Sequence, residues 1–259
     1  TQETPLASYA DAAALVYSFS GQSTDVAASA QWLRARGASV VGVTNAEDST
    51  CHLGRAADAL FHLRVGPERA VPATKSYGAQ LFASAALCGF PVALAARDAA
   101  TCMDRLLASD AAERLTDFLA GARTVVWIAR GPALAAALDA ALKMQETATI
   151  PSFGYSAAEI LHGPIAAVDT VDRVVLLADA GEPAESITAV ASALLGRGVP
   201  FVRIGADDAS SPIPLSLPSE RWARTPVFSM LAQLAAVSLA ERSGLDPDAP
   251  RGLNKITLT

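Results

Sequence analysis

The stretch Ala13-Ala14-Leu15-Val16-Tyr17-Ser18-Phe19-Ser20-Gly21-Gln22-Ser23-Thr24-Asp25 decides how the chain is read. Residues 13–19 form a short apolar run, suited to a strand covered on both faces of a parallel sheet. Ser20-Gly21-Gln22-Ser23 breaks that run with turn formers. The amphipathic segment from Val26 to Arg36 then ends at Gly37, a fitting residue just past a helix C-terminus. Further out, strands are expected at 39–44 and 59–63, a loop at 66–74 and a helix at 75–88. After a helical connector at 111–119 the plan repeats. Strands are expected at 124–129, 173–178 and 200–204, and helices at 133–147, 185–195 and 228–242. Such alternation argues for parallel sheets with helices on both faces. The expected fold is α/β in two tandem halves, residues 1–107 and 108–259.

Composition supports a packed protein. Hydrophobic residues make up 51% of the 259 and charged residues 18%, which excludes a disordered chain. A net charge of −6 argues against a basic nucleic-acid-binding face. Cys51, Cys88 and Cys102 have no CxxC spacing and read as reduced thiols. Thr1 to Pro5 lacks the basic start and apolar run of a signal peptide, and Arg, Asp or Gln interrupts the apolar stretches before membrane-spanning length. A cytoplasmic protein with no nucleic-acid or membrane partner is expected. No metal or cofactor is required by any pattern in the chain.

Four segments could carry chemistry. Ser18, Ser20, Ser23 and Thr24 crowd the carboxyl end of a strand, where open α/β sheets place ligands, and Gly21 lets a ligand approach the backbone. That turn reads either as a phosphate seat at a helix start or as an ordinary N-cap. Lys143 and Glu146, three residues apart on one helix face, read as a general base beside a lysine or as a surface ion pair. His162, before Gly163-Pro164, reads as a proton carrier or as a cap on a helix C-terminus. His52 and His62 are taken as structural. The tail from Asp246 to Thr257 holds two prolines and Lys255, a pattern compatible with a segment laid over a cleft.

Five stretches taken together resemble the SIS (sugar isomerase) domain family. They are Ser18 to Asp25, Gly66 to Lys75, Ala141 to Glu146, Tyr155 to Pro164 and Pro250 to Lys255, in family order and spacing. The resemblance is nearest to the isomerase half of glucosamine-6-phosphate synthase and to stand-alone glucosamine-6-phosphate deaminases. It implies that Ser18, Ser20 and Ser23, with Gly21, Gln22 and Val71, bind the phosphorylated sugar. It implies Glu146 as the base moving a proton between C1 and C2, with Lys143 beside it. His162 would open the sugar ring, reaching the site of a neighbouring subunit in a homodimer with shared active sites. Lys255 would form an imine with an open-chain ketose, with Leu253 and Ile256 burying on either side of it.

The implied function is a phosphosugar isomerase or deaminase acting on a glucosamine 6-phosphate or fructose 6-phosphate type of substrate. The alternatives are an isomerase or deglycase of another phosphorylated sugar, or a non-catalytic sugar-phosphate sensor. Phe19 stands where the synthase has glutamine, and Ala73 where it has serine. Only 17 residues precede Ser18, so the first half is expected to lack its N-terminal strand-helix unit. No stretch resembles a glutamine amidotransferase, so nitrogen transfer from glutamine is not expected of this chain.

Overall fold

The apolar run at 13–19 forms β1 (Ala13–Tyr17) in a computed structural model that describes residues 8–179, 183–205 and 211–255. The chain divides into two units, residues 1–90 with 252–259 and residues 91–251. In unit 1, β1 is followed by α1 (Thr24–Arg34), β2 (Ser39–Thr44), α2 (His52–Ala56), β3 (Ala59–His62) and α3 (Lys75–Leu87). The three strands are parallel, in the order β1-β2-β3, with Leu15 opposite Val41 and Val43 opposite Phe61. Parallel neighbours need a crossover, and α1 and α2 supply them. Alternate strand residues Ala14, Val16, Val40 and Leu60 meet Ala27, Ala30, Leu53 and Ala56 from these helices. Another strand residue, Tyr17, pairs its hydroxyl with that of Ser84 on α3 at 2.6 Å.

Unit 2 runs α4 (Val92–Leu107), α5 (Ala111–Leu119), β4 (Val125–Ala129), α6 (Ala133–Ala148), β5 (Ser152–Ser156), α7 (Ala157–Ile160), β6 (Arg173–Leu177), α8 (Pro183–Gly196), β7 (Phe201–Ile204) and α9 (Thr225–Arg242). Its parallel sheet has the order β5-β4-β6-β7. Every residue of β4 is buried, as a central parallel strand requires. Val126 and Ile128 pack with Ile160, Leu176, Ile187 and Leu194, each such side chain contributing about 1.5–3 kcal/mol by burial. Residues 221–242 are long and apolar enough to cross a membrane by length and composition, and 67% of that apolar window is buried inside the unit. Helix α9 packs on α5 and α6 as a core helix.

Several elements were not expected from the sequence, among them α4, β5 and α2. Helix α4 buries Ala95, Ala99, Cys102 and Leu106, a helical stripe made mostly of small residues that a search for large apolar side chains passes over. It packs on α9, and Asp98 accepts hydrogen bonds from the Ser219 backbone N–H at 2.8 Å and hydroxyl at 3.0 Å. The division between units therefore falls at Phe90/Pro91, ahead of α4, and not near residue 107, and residues 252–259 group with unit 1. Strand β5, Ser152-Phe153-Gly154-Tyr155-Ser156, forms because Gly154 lies against α6. A Cβ there would sit 2.8 Å from the Ala137 carbonyl oxygen. Helix α2 is a single short turn with no periodicity to read.

The order β1-α1-β2 recurs in unit 2 as β6-α8-β7, while α2 and β3 follow β2 before α3 in unit 1. Among the described residues of unit 1, nothing corresponds to β4, α6 and β5.

Candidate active-site residues

The turn from Ser18 to Ser23 joins β1 to α1 in unit 1. Its backbone is pinned from behind: the Ser18 N–H donates to the Val43 carbonyl, the Asn45 N–H and Thr44 hydroxyl donate to the Phe19 carbonyl, and the Leu53 N–H donates to that of Gly21. The His52 Nδ1 pairs with the Gln22 carbonyl at 3.0 Å, giving that histidine a structural place under the turn. Gly21 has φ 68°, and a Cβ on it would lie 2.6 Å from Cys51 Sγ, so the residue must be glycine on both counts. The hydroxyls are less constrained than the backbone. Ser18 Oγ is buried with no hydrogen-bond partner among the described residues, and Ser23 at the N-cap of α1 makes no capping bond with its side chain. A buried hydroxyl left so costs about 1–3 kcal/mol, which a ligand oxygen would relieve. Ser20 Oγ accepts from the Gln22 N–H at 3.2 Å.

Val71 lies in the loop before α3, and the tail comes to it. Lys255 Nζ donates to the carbonyls of Ala70 at 2.6 Å and Val71 at 3.4 Å, and stands 5.6 Å from the centre of the Phe19 ring. It also faces Glu68 Oε2 at 3.5 Å. The Glu68 side chain is 5% exposed. Burial pushes its carboxyl up, but the Ser76 hydroxyl, the Ser76 and Thr74 N–H groups and the Lys255 charge outweigh that and hold it below the usual range. Leu253 does not bury as expected: it is 44% exposed, and the tail is held by the polar contacts of Lys255. Ile256 lies outside the described residues.

On α6 in unit 2, Lys143 and Glu146 meet at 2.7 Å, and Asp139, one turn earlier, stands 3.8 Å from the same ammonium. This is not a surface pair. The Lys143 and Asp139 side chains are each 4% exposed, while that of Glu146 is 25% exposed, so the group opens to solvent through Glu146 alone. Asp139 accepts from Gln233 Nε2 on α9 at 2.9 Å. Burial pushes its carboxyl up, against the Lys143 charge and the Gln233 amide, and the Glu146 charge adds to the rise.

His162 follows α7, whose N-cap Ser156 accepts from the Ala158 N–H at 3.3 Å. The His162 N–H donates to the Glu159 carbonyl at 3.0 Å. Its imidazole is exposed and makes no hydrogen bond or ion pair among the described residues, so it does not cap a helix with its side chain.

Sequence reasoning missed Glu68 and Asp139. The pattern Asp139-x-x-x-Lys143-x-x-Glu146 is legible at helical spacing, whereas nothing local marks Glu68, which lies well outside the three-residue span of a capping box. Two residues past the end of β6 stands Asp179. This carboxylate is 2% exposed and accepts from Arg221 Nε at 2.9 Å and from Arg224 Nη1.

The chain is 32% identical over 263 aligned residues to an isomerizing glutamine–fructose-6-phosphate aminotransferase of Caulobacter vibrioides, covering 91% of this chain and 42% of that protein. A second such aminotransferase, of Bradyrhizobium diazoefficiens, is 30% identical, with 93% of this chain and 43% of that protein covered. The chain thus spans less than half the length of the curated relatives it matches. Among solved structures, glucosamine-6-phosphate deaminase of Thermotoga maritima superposes with a TM-score of 0.78 at 22% identity, covering 96% of this chain and 76% of that one. Tagatose-6-phosphate ketose/aldose isomerase of Escherichia coli gives 0.78 at 20% identity, covering 95% and 72%. These two likenesses speak to the fold. The model of the SIS domain matches residues 5–88 and 118–240, spanning both sheets, and the chain belongs to the SIS domain family.

Proposed function

We propose that this chain is a phosphosugar isomerase or deaminase acting on an amino-sugar phosphate of the glucosamine 6-phosphate type. The observation that carries the reading is the group on α6: a carboxylate open to solvent, Glu146, fixed by a buried ammonium. An ion pair that served stability alone would not need its one solvent opening at the carboxylate. Glu146 takes the C2 proton of the open-chain amino sugar, giving an enolamine, and returns it to C1. Water then releases ammonia from the C2 imine and leaves a ketose phosphate. Lys143 keeps the carboxylate in place and offsets its charge.

The remaining roles follow the family resemblance. Ser18, Ser20 and Ser23 hold the phosphate, with Gly21 and Gln22 lending backbone and the first turn of α1 its N–H groups. The Val71 segment contacts the sugar, His162 opens the ring in the site of a second subunit, and Lys255 meets the C2 carbonyl. The unpartnered Ser18 hydroxyl supports the phosphate assignment. We place the protein in the cytoplasm as a homodimer, where its phosphorylated substrate is made.

The test is incubation of the purified protein with glucosamine 6-phosphate, measuring ammonia and fructose 6-phosphate together. Equal release of both is the expected result. Interconversion of another aldose and ketose phosphate, with no ammonia, would move the substrate and leave the proton transfer standing. Tight binding of sugar phosphates with no turnover of any would mark a sensor and end the enzymatic reading.

A further inference from the structure

Glu68 has no part in the roles above, yet both of its carboxylate oxygens accept hydrogen bonds. Oε1 accepts from the Thr74 and Ser76 N–H groups, both at 3.1 Å, at the start of α3. Those bonds satisfy the helix end and need only one oxygen. The second oxygen, Oε2, accepts from the Ser76 hydroxyl and faces Lys255, 187 residues away in sequence. A buried carboxylate oxygen demands a donor or a cation, and the tail supplies it.

The tail depends on that contact in turn. Gly252, Leu253 and Asn254 are all exposed, and among the described tail residues only Lys255 sinks into the unit. Its Nζ finds three acceptors, Glu68 and the Ala70 and Val71 carbonyls, which match the three N–H donors of an ammonium. Of the three, Glu68 is the one that carries charge and is itself locked by a helix. The seat so defined puts Nζ beside the Phe19 ring, whose own backbone is held by Thr44 and Asn45.

We infer that Glu68 is the positioning residue for Lys255, tying the tail to the first turn of α3 and fixing where the ammonium stands beside the serine turn. The inference rests on the proposed role of Lys255 at the substrate carbonyl. The pair sets the resting position of the tail.

Glu68→Gln separates this role from capping. Glutamine keeps the length and leaves a carbonyl oxygen to accept from the two N–H groups, but it presents no charge to Nζ. In the full chain, hydrogen–deuterium exchange over residues 252–255 is expected to speed up by about tenfold or more in Glu68→Gln. Lys255→Gln, which also gives up the two carbonyl contacts, should do at least as much, and the double variant should add nothing beyond it, because the Glu68 contact is already lost there. With glucosamine 6-phosphate, Glu68→Gln should lower kcat roughly 10- to 100-fold with KM within about twofold, the mark of a misplaced group and not of lost binding. Glu68→Asp, which keeps the charge, should recover part of both.

Parent-like exchange and kcat in Glu68→Gln would overturn the inference, as would additive effects in the double variant. If Glu68→Gln does not fold, Glu68→Asp and Lys255→Gln carry the exchange comparison. If the parent protein turns over no sugar phosphate, the functional reading fails, while the exchange arm still decides whether Glu68 seats the tail.

Discussion

Glu146→Gln is expected to lower turnover of an accepted amino-sugar phosphate by about 10²–10⁴-fold, the usual cost of losing a general base. The substitution keeps the shape and leaves an amide oxygen facing Lys143, so the fold should hold. The ammonium also retains Asp139, 3.8 Å away. Binding should change little, because the phosphate is assigned to the serine turn in the other unit. Steady-state kinetics with glucosamine 6-phosphate, alongside circular dichroism, read both effects, and parent-like kcat would remove Glu146 from the mechanism. The same variant tests the shared-site dimer. Mixed with His162→Ala, it should recover part of the activity, since one site of each hybrid then has both residues intact. No recovery after subunit exchange, with both variants folded, would place His162 in its own chain's site or outside the chemistry.

Lys143→Met should cost about 3–5 kcal/mol of stability near neutral pH, the range for removing one partner of a buried charge group. Methionine fits the space but leaves two carboxylates, one of them 4% exposed, without their cation. The pH dependence has a definite sign. Asp139 is already held above its ordinary value by burial, so the folded state binds its proton more tightly than the unfolded state does. That contribution to stability is fully present below the unfolded value of 3.8 and is lost as pH rises through the folded value. Removing the Lys143 charge raises the folded value further, so the variant's deficit should shrink as the solution is acidified. Urea denaturation across that range measures it. A loss below about 1 kcal/mol would show the group to be better solvated than its burial indicates, and a deficit that grows in acid would refute the assignment to Asp139.

Large apolar runs and glycine punctuation made most of the fold legible. β2 was readable to the residue because Val40, Val41 and Val43 lie between polar ends. What escaped was built from small residues or from distant contact. The buried stripe of α4 is largely alanine, and β5 owes its place to a glycine pressed on a helix backbone. At the candidate site, spacing alone put Lys143 and Glu146 on one face. Whether that face was wet or dry depended on α9, whose Gln233 comes 90 or so residues later and closes over Asp139. Lys255 stood out as a lone lysine near the end of the chain, but its seat did not, because Glu68 carries no local mark. The tail's apolar neighbours suggested burial, and Leu253 shows that polar contacts hold it instead.

The internal repeat has a consequence for how many ligands one chain takes up. In unit 1 the turn after the first strand leaves the Ser18 hydroxyl without a partner among the described residues. In unit 2 the chain just past β6 carries the protein's own anion, Asp179, held between Arg221 and Arg224. A second phosphate would have to displace a carboxylate that is covalently part of the chain and so is present at a very high effective concentration. Titration calorimetry with a sugar phosphate should therefore settle at one molecule per chain. Asp179→Ala would free two guanidinium groups for inorganic phosphate and raise that number toward two.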